Sequence, residues 1–352
     1  MYTSTKSEMA APTVTAVIPC RNEENYIESC IRSVLAQEAV PGGFEVIVAD
    51  GMSDDGTREI LARLTGEDKR LRVIDNPGRT TALGMNAGIR HARGKFVAIM
   101  GAHSKYASDY LRASLAVSGA TNADNVGGSM ICRGQNRLQR AIAAAHHSPF
   151  SVGGARWHNV KYEGPADTVF GGFYRRSVFE RIGYFDESLL RNQDDELNLR
   201  LTRAGGKIWH SPSIRSFYCP RASLGALFRQ YLQYGYWKVA VMKKHRRPTA
   251  LRHLVPGLFV CALIFLPLLG LLFAPLFFFL WLACLGAYAV ANVGASLATA
   301  ARTEWSFLPL LPLIFACYHI GYGSGFLRGV IGLVILRRAP SATFTQLTRV
   351  SN

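Results

Sequence analysis

Three short stretches carry side chains that can do chemistry. Asn192-Gln193-Asp194-Asp195-Glu196-Leu197 sets three consecutive acids at the start of a helical pattern. Asp50-Gly51-Met52-Ser53-Asp54-Asp55-Gly56-Thr57 packs acids and glycines into a turn. An ionised carboxylate can only accept a hydrogen bond, so such groups can hold a donor or take up a proton. Both groups also have a structural use. Acids in a first helical turn gain about 0.3–1 kcal/mol each from the dipole, and Asp55 or Thr57 can cap a helix. The third stretch, Gly101-Ala102-His103, ends an apolar run with one imidazole and no acid. A lone histidine there is ordinarily a hydrogen-bonding residue.

The elements that must hold these groups alternate. Val14–Ile18, Phe44–Ala49, Leu71–Ile74 and Phe96–Met100 are predicted strands. Asn25–Gln37, Thr57–Leu64 and Thr81–His91 are predicted helices, the first with Ile27, Ile31, Val34 and Leu35 on one stripe. That rhythm predicts an α/β domain with a mostly parallel, Rossmann-like sheet, in which ligands gather beyond the carboxyl ends of the strands. The loops at Pro19–Asn25, Asp50–Thr57 and Gly101–Tyr106 are therefore the informative ones. After the first strand the chain reads Pro-Cys-Arg-Asn-Glu-Glu, which excludes the Gly-x-Gly-x-x-Gly of dinucleotide binding, and there is no P-loop.

The second half changes character. Leu254–Ala301 contains no Asp, Glu, Lys or Arg, enough for two crossings at roughly 20 residues each, with a bend at Phe273-Ala274-Pro275. Trp305–Leu327 reads as a third crossing, a re-entrant piece or an interfacial helix. Three crossings would put Arg337 and Arg338 outside; two plus an interfacial segment keep them inside. Much of the net charge of +16 is local: Lys238, Lys243, Lys244, Arg246, Arg247 and Arg252 occur without an acid just before the apolar region. That fits an anionic leaflet, and no nucleic-acid-binding module accompanies it. Leu224, Leu227, Phe228, Tyr231 and Tyr234 form a helical stripe that predicts an amphipathic helix on the membrane. The N-terminus lacks the basic start and apolar core of a signal peptide, so the first 250 residues are expected in the cytosol. Seven scattered cysteines without Cys-x-x-Cys spacing indicate neither a disulfide framework nor a zinc site.

The segments AVIPCRNEENYIESCIRSVLAQ, FEVIVADGMSDDGTREIL, NPGRTTALGMNAGIRHARGKFVAIMGAH and FGGFYRRSVFERIGYFDESLLRNQDDELNLRLTRAGGKIWHSP, in order and spacing, resemble the family 2 inverting glycosyltransferases of GT-A fold. Among these the chain is most similar to the succinoglycan-biosynthesis glucosyltransferase type. The resemblance implies a disordered N-terminus at 1–12, a catalytic domain at 13–222, a basic interface helix and linker at 223–253, a membrane region at 254–336 and a tail at 337–352. It places Asp50 against the nucleotide base, with Pro19, Asn22 and Glu23 in the same pocket and Arg79, Gly101 and Ala102 along the donor. Asp194 takes the position of the catalytic base, Gln193 replacing the usual Glu, with Asp195 as runner-up. Gly171 and Gly172, with Arg175 and Arg176 nearby, fall on the acceptor side. Gln233 and Trp237 align with a Gln-x-x-Arg-Trp motif of processive synthases, with Tyr236 in place of its arginine, which favours single-sugar addition.

The family holds a divalent cation through Asp-x-Asp after the fourth strand. Here Gly101 and His103 replace the two acids, and a neutral imidazole suits Mn²⁺ better than Mg²⁺. His210 falls where some GT-A enzymes supply a further ligand. The resemblance thus implies a membrane-anchored, cytosol-facing transferase moving one hexose from a nucleotide-diphosphate sugar, expected to be a UDP-sugar, to a hydroxyl of a polyprenyl-diphosphate-linked oligosaccharide in exopolysaccharide or envelope glycan synthesis. Two alternatives stand beside it: a polyprenyl-phosphate sugar transferase, and a non-catalytic nucleotide- or glycan-binding membrane scaffold. Donor sugar, linkage and oligomeric state stay open.

Overall fold

The computed structural model describes residues 11–128, 130–248 and 250–346. Most of the expected disordered segment 1–12 and residues 347–352 of the tail lie outside the described residues. The elements run β1 (Val14–Cys20), α1 (Ile27–Leu35), β2 (Phe44–Asp50), α2 (Thr57–Glu67), β3 (Leu71–Asp75), α3 (Thr81–His91), β4 (Phe96–Ile99), β5 (Ser104–Tyr106), α4 (Tyr110–Thr121), β6 (Asn125–Gly127), β7 (Met130–Cys132), α5 (Arg137–His146) and α6 (Pro149–Val152). They continue with β8 (Gly164–Pro165), β9 (Phe173–Arg175), α7 (Ser177–Ile182), α8 (Gln193–Arg203), β10 (Ile208–His210), β11 (Ser216–Tyr218), α9 (Leu224–His245), α10 (Val255–Leu272), α11 (Pro275–Arg302), α12 (Leu311–Gly329) and α13 (Ala342–Thr345).

Alternation along β1 explains the layering. Ala16 and Ile18 pack with Ile27, Ile31 and Val34 of α1, whereas Val17 packs with Ala82, Met85 and Ile89 of α3, because successive side chains leave opposite faces of a strand. Strands covered on both faces are apolar throughout, and β2 is buried along its whole length. The main sheet has the order β3-β2-β1-β4-β9-β6-β10-β8. β1 is parallel to β2 and β4, and β9 is antiparallel to β4 and β6. A small sheet, β5-β11-β7, stands beside it. β1 runs past its expected end at Pro19: Cys20 stays in register with Asp50, and its carbonyl accepts from Gly51 N at 2.8 Å.

The apolar half breaks where expected, between Leu272 and Pro275. Two helical stretches among the described residues, Leu251–Leu272 and Pro275–Arg302, are long and apolar enough to cross a membrane; α12 is not among them. α12 packs on α9 instead. A Cβ on Gly325 would overlap the carbonyl of Leu232, and one on Gly329 would lie 2.9 Å from the carbonyl of Tyr236. Small residues four apart are what allow two helix backbones to approach this closely. The stripe expected to lie on the membrane is therefore covered: Leu224, Leu227 and Tyr231 pack with Ile314, Phe315 and Tyr318, and the rings of Tyr231 and Tyr318 are 4.2 Å apart.

Candidate active site

The carboxyl ends of β1, β2 and β4 meet at one end of a cavity of about 840 Å³. Pro19, Glu23, Arg79, Gly101, Ala102 and His103 line that end. Asp50 stands behind its wall, fully buried, accepting from Ser53 Oγ at 2.6 Å and paired with Arg58 at 3.3 Å. Its register partner Cys20 does line the cavity. Asn22 does not. Held in the left-handed region at φ 54°, it ties two loops together, its backbone N donating to Ser53 Oγ at 2.9 Å and Nδ2 to Asp54 Oδ1 at 2.7 Å.

Glu23 has a partner that the sequence did not suggest. Its Oε1 lies 3.2 Å from His103 Nδ1, and the imidazole meets the ring of Tyr218 edge-on at 5.6 Å. If Nδ1 carries the proton donated to Glu23, Nε2 presents the lone pair. A carboxylate that holds one nitrogen of a ligating imidazole fixes its tautomer and orientation, so the Glu23–His103 pair would suit a single imidazole ligand to a divalent cation. Among the described residues no three His, Cys, Asp or Glu side chains converge on such an ion. His210 is not brought to His103: it is fully buried on β10, with Nδ1 2.7 Å from the Tyr162 carbonyl, and does not line the cavity. Gly101 leaves room for a side chain, since a Cβ there would meet only Ser104 Oγ, at 3.5 Å.

Deeper in the cavity lie Asp194 and Asp195, in the first turn of α8. Asn192 opens that helix at φ 60° and donates through Nδ2 to the Tyr234 carbonyl at 3.0 Å, which fixes the turn against α9. The three acids separate by partner. Glu196 is fully buried and held by Lys244 at 2.8 Å, with His245 and Arg200 close by. Asp195 is paired with Lys238; burial pushes its pKa up, but the Lys238 ammonium, His253 and Arg252 together hold it below the usual range. Asp194 accepts from the Asp195 backbone N at 2.9 Å. Burial first, then the charge of Asp195, push its carboxyl up to about 6, so it is ionised at neutral pH and still more basic than an ordinary aspartate.

Of the two glycines expected on the acceptor side, Gly171 lines the cavity at φ +73°, with space for a Cβ closed by the Ile99 carbonyl at 2.7 Å. Gly172 does not line it; its carbonyl accepts from Ile99 N at 2.9 Å. Gln233 and Trp237 also fall away from the cavity. Gln233 Nε2 donates to the carbonyls of Thr343 and Gln346, and Trp237 Nε1 donates to that of Phe344, each at 2.9 Å. Helical spacing is the cause: Leu227, Gln230, Tyr231, Tyr234 and Lys238 occupy the cavity face of α9. Reading Lys238 as part of the membrane-facing basic cluster missed its place. Its position four after Tyr234 and seven after Tyr231 puts it on their face of the helix. Beyond Asp194 the cavity continues to Pro256, Phe259, Tyr288 and Tyr322 of the apolar helices. His146 and His158 line this half with rings 4.2 Å apart, and burial pushes His158 down to about 3, leaving it neutral.

A family model described as Glycosyl transferase family 2 matches residues 15–183. The chain is 32% identical to the succinoglycan biosynthesis protein ExoA of Rhizobium meliloti (strain 1021), covering 92% of this chain and 97% of that protein. It is 24% identical to the dolichyl N-acetyl-alpha-D-glucosaminyl phosphate 3-beta-D-2,3-diacetamido-2,3-dideoxy-beta-D-glucuronosyltransferase of Methanococcus voltae, over 90% of this chain and 97% of that one. Among solved structures, the mannosyltransferase PcManGT from Pyrobaculum calidifontis, in complex with GDP-Man and Mn²⁺, superposes with a TM-score of 0.56 at 19% identity, covering 88% of this chain and 87% of that chain.

Proposed function

The chain belongs to glycosyltransferase family 2 and takes the GT-A fold; on that premise we propose that it moves a single hexose from a nucleotide-diphosphate sugar, a UDP-sugar, to a hydroxyl of a polyprenyl-diphosphate-linked oligosaccharide at the cytosolic face of the membrane. The observation that carries this reading is one continuous cavity, which runs from Pro19 and His103 past Asp194 to the apolar helices. A donor held at the strand ends and a lipid-borne acceptor entering from α10 and α11 meet at the carboxylate. The names of the two relatives, one for succinoglycan biosynthesis and one for transfer to a dolichyl-linked sugar phosphate, support a lipid-linked glycan acceptor in exopolysaccharide or envelope synthesis.

In this reading Pro19, Cys20 and Arg79 line the donor's path, with Asp50 behind them holding the Ser53 loop. Asp194 takes the proton of the attacking hydroxyl as that oxygen bonds to C1 and the C1–O bond to diphosphate breaks, with inversion. A carboxylate of raised pKa is the stronger base and stays charged near pH 7. His103, oriented by Glu23, would hold a divalent cation, Mn²⁺ in preference to Mg²⁺, which when bound neutralises charge on the departing diphosphate.

The test is a screen of radiolabelled nucleotide sugars on membranes containing the protein, with lipid-linked glycan acceptors and an Asp194→Asn control. Label passing to a lipid-linked glycan, and lost in the variant, supports the proposal. Transfer that survives in Asp194→Asn would mean that a lipid phosphate is itself the nucleophile. Donor binding without transfer under every condition would leave a binding scaffold.

A further inference from the structure

The cavity changes character at Tyr322. To one side lie Asp194 and Asp195; to the other lie Pro256, Phe259 and Tyr288 of the two apolar helices. The hydroxyl of Tyr322 is buried and, among the described residues, has no hydrogen-bond partner. Such a group is costly in a folded chain, and this one belongs to a ring that lines the cavity.

Glycines fix Tyr322 at this level. A Cβ on Gly235 of α9 would overlap the Tyr322 carbonyl, and one on Gly323 would overlap the Pro256 carbonyl in the first turn of α10. Gly235 comes three residues before Lys238, and Pro256 four after Arg252, so Tyr322 is held between the two cations. The charges of Asp195 and Arg252 both reach its hydroxyl. Each cation already has an acid: Lys238 has Asp195, and Arg252 has Asp167. The two pairs are unlike. Asp195 lines the cavity beside Lys238, whereas Asp167 does not, and its side chain is 46% exposed. The stem of Arg252 lies along Gly153, where an added Cβ would meet its Cβ at 3.3 Å, and both residues line the cavity. Asp167 takes Nη2 of the guanidinium; a guanidinium carries five donors, so a second anion can be bound without giving up the first.

We infer that Arg252 and the Tyr322 hydroxyl together bind the phosphate head of an isoprenoid-borne acceptor, where its apolar chain ends and its glycan begins. This deepens the acceptor half of the transfer reading above and rests on it. A chain lying by Phe259 and Tyr288 and a glycan reaching Asp194 leave the linking phosphate between them, at the level of Tyr322. Phosphate oxygens only accept there; the guanidinium offers a fork of donors and the phenol adds one more. No bond is made or broken at this site. A nucleoside diphosphate presents the same head chemistry, so the experiment separates the two sources.

The full chain, purified in detergent, is titrated with farnesyl diphosphate, farnesol and UDP, beside Arg252→Gln, Arg252→Lys, Tyr322→Phe and Asp167→Asn. The expected result is farnesyl diphosphate binding weakened roughly 10- to 100-fold in Arg252→Gln and roughly 3- to 10-fold in Tyr322→Phe, with lysine restoring part of the loss and farnesol and UDP unchanged. Asp167→Asn breaks the same ion pair and leaves the guanidinium, so it should keep farnesyl diphosphate binding. An equal loss in Asp167→Asn and Arg252→Gln would make the arginine a support of the fold and overturn the site. Farnesyl diphosphate that binds every variant alike, or fails to bind the wild type, also overturns it, as does a loss confined to UDP. Thermal unfolding checks each variant; if Arg252→Gln melts early, Arg252→Lys and Tyr322→Phe carry the comparison. Wild-type transfer to a lipid-linked glycan with the acceptor KM unmoved in the variants sinks the site and leaves the transfer reading standing, whereas absence of transfer from every donor sinks the reading itself.

Discussion

Lys238, on α9, is almost wholly buried and reaches Asp195, the neighbour of Asp194 in the first turn of α8. One cation thus sets two carboxylates apart. It holds Asp195 ionised, and its own attraction limits how far Asp194 is raised by burial and by Asp195. Removing it in Lys238→Met lifts that restraint, so the pKa of Asp194 rises above about 6. A base must be unprotonated, so activity falls as pH drops through that pKa; in the variant the acid limb of the pH–kcat profile moves to higher pH. Stability falls too, by roughly 2–3 kcal/mol, less than for a fully buried pair because the Asp195 side chain is 25% exposed. A limb that stays in place would show that Asp194 does not govern turnover.

Asp195→Asn should move the same limb the other way. It removes the charge that raises Asp194 and leaves Lys238, which lowers it, so the profile shifts to lower pH while turnover is retained. Asp194→Asn instead removes the proposed base, with an expected loss of about 10²- to 10⁴-fold in kcat and little change in UDP affinity. If Asp195→Asn proves the more damaging of the two, the roles are reversed.

The His103–Glu23 pair makes metal dependence testable by affinity as well as rate. In His103→Ala, Mn²⁺ should no longer strengthen UDP binding, and in Glu23→Gln the effect should be reduced about 10- to 100-fold in Mn²⁺ affinity, the usual cost of losing a carboxylate behind a ligating histidine. His103→Asp should shift preference towards Mg²⁺, which favours oxygen ligands. Mn²⁺-enhanced binding that survives in His103→Ala would remove the imidazole from the metal's coordination.

The strand–helix rhythm of the first hundred residues was legible because each strand is apolar and each loop is not: Thr81–His91 is a helix over the residues that its spacing predicts. The break before Pro275 was equally plain, because proline cannot continue the preceding helix and suits the first turn of the next. What sequence spacing could not reveal was which face of α9 turns inward. Gln233 and Trp237 match a motif by spacing, yet the close approach of α12 and the segment at 343–346 turns that face away from the cavity and brings Gln230, Tyr234 and Lys238 into it. Asn22 and His210 lie off the cavity lining for a related reason. Each has a tertiary partner, Asp54 for one and the Tyr162 carbonyl for the other, that no local pattern announces.

That dependence on α12 gives the last prediction. Gly321, Gly325 and Gly329 lie four residues apart on one face, against the carbonyls of Phe228, Leu232 and Tyr236 on α9. Backbone cannot move aside as a flexible side chain can, so Gly325→Val should cost at the upper end of the ~1–3 kcal/mol typical of overpacking. Gly294, with nothing within 4 Å of its Cβ position, provides the control, and Gly294→Ala should leave stability nearly unchanged. The two variants should also differ in function. Displacing α12 disturbs the face of α9 that carries Tyr234 and, through it, the Asn192 turn that starts α8, so Gly325→Val should lose acceptor-dependent turnover at temperatures where it is still folded. Thermal unfolding in detergent and turnover at 20 °C below its midpoint measure both effects. Full activity with lowered stability would show that the helix pair supports the fold without shaping the site.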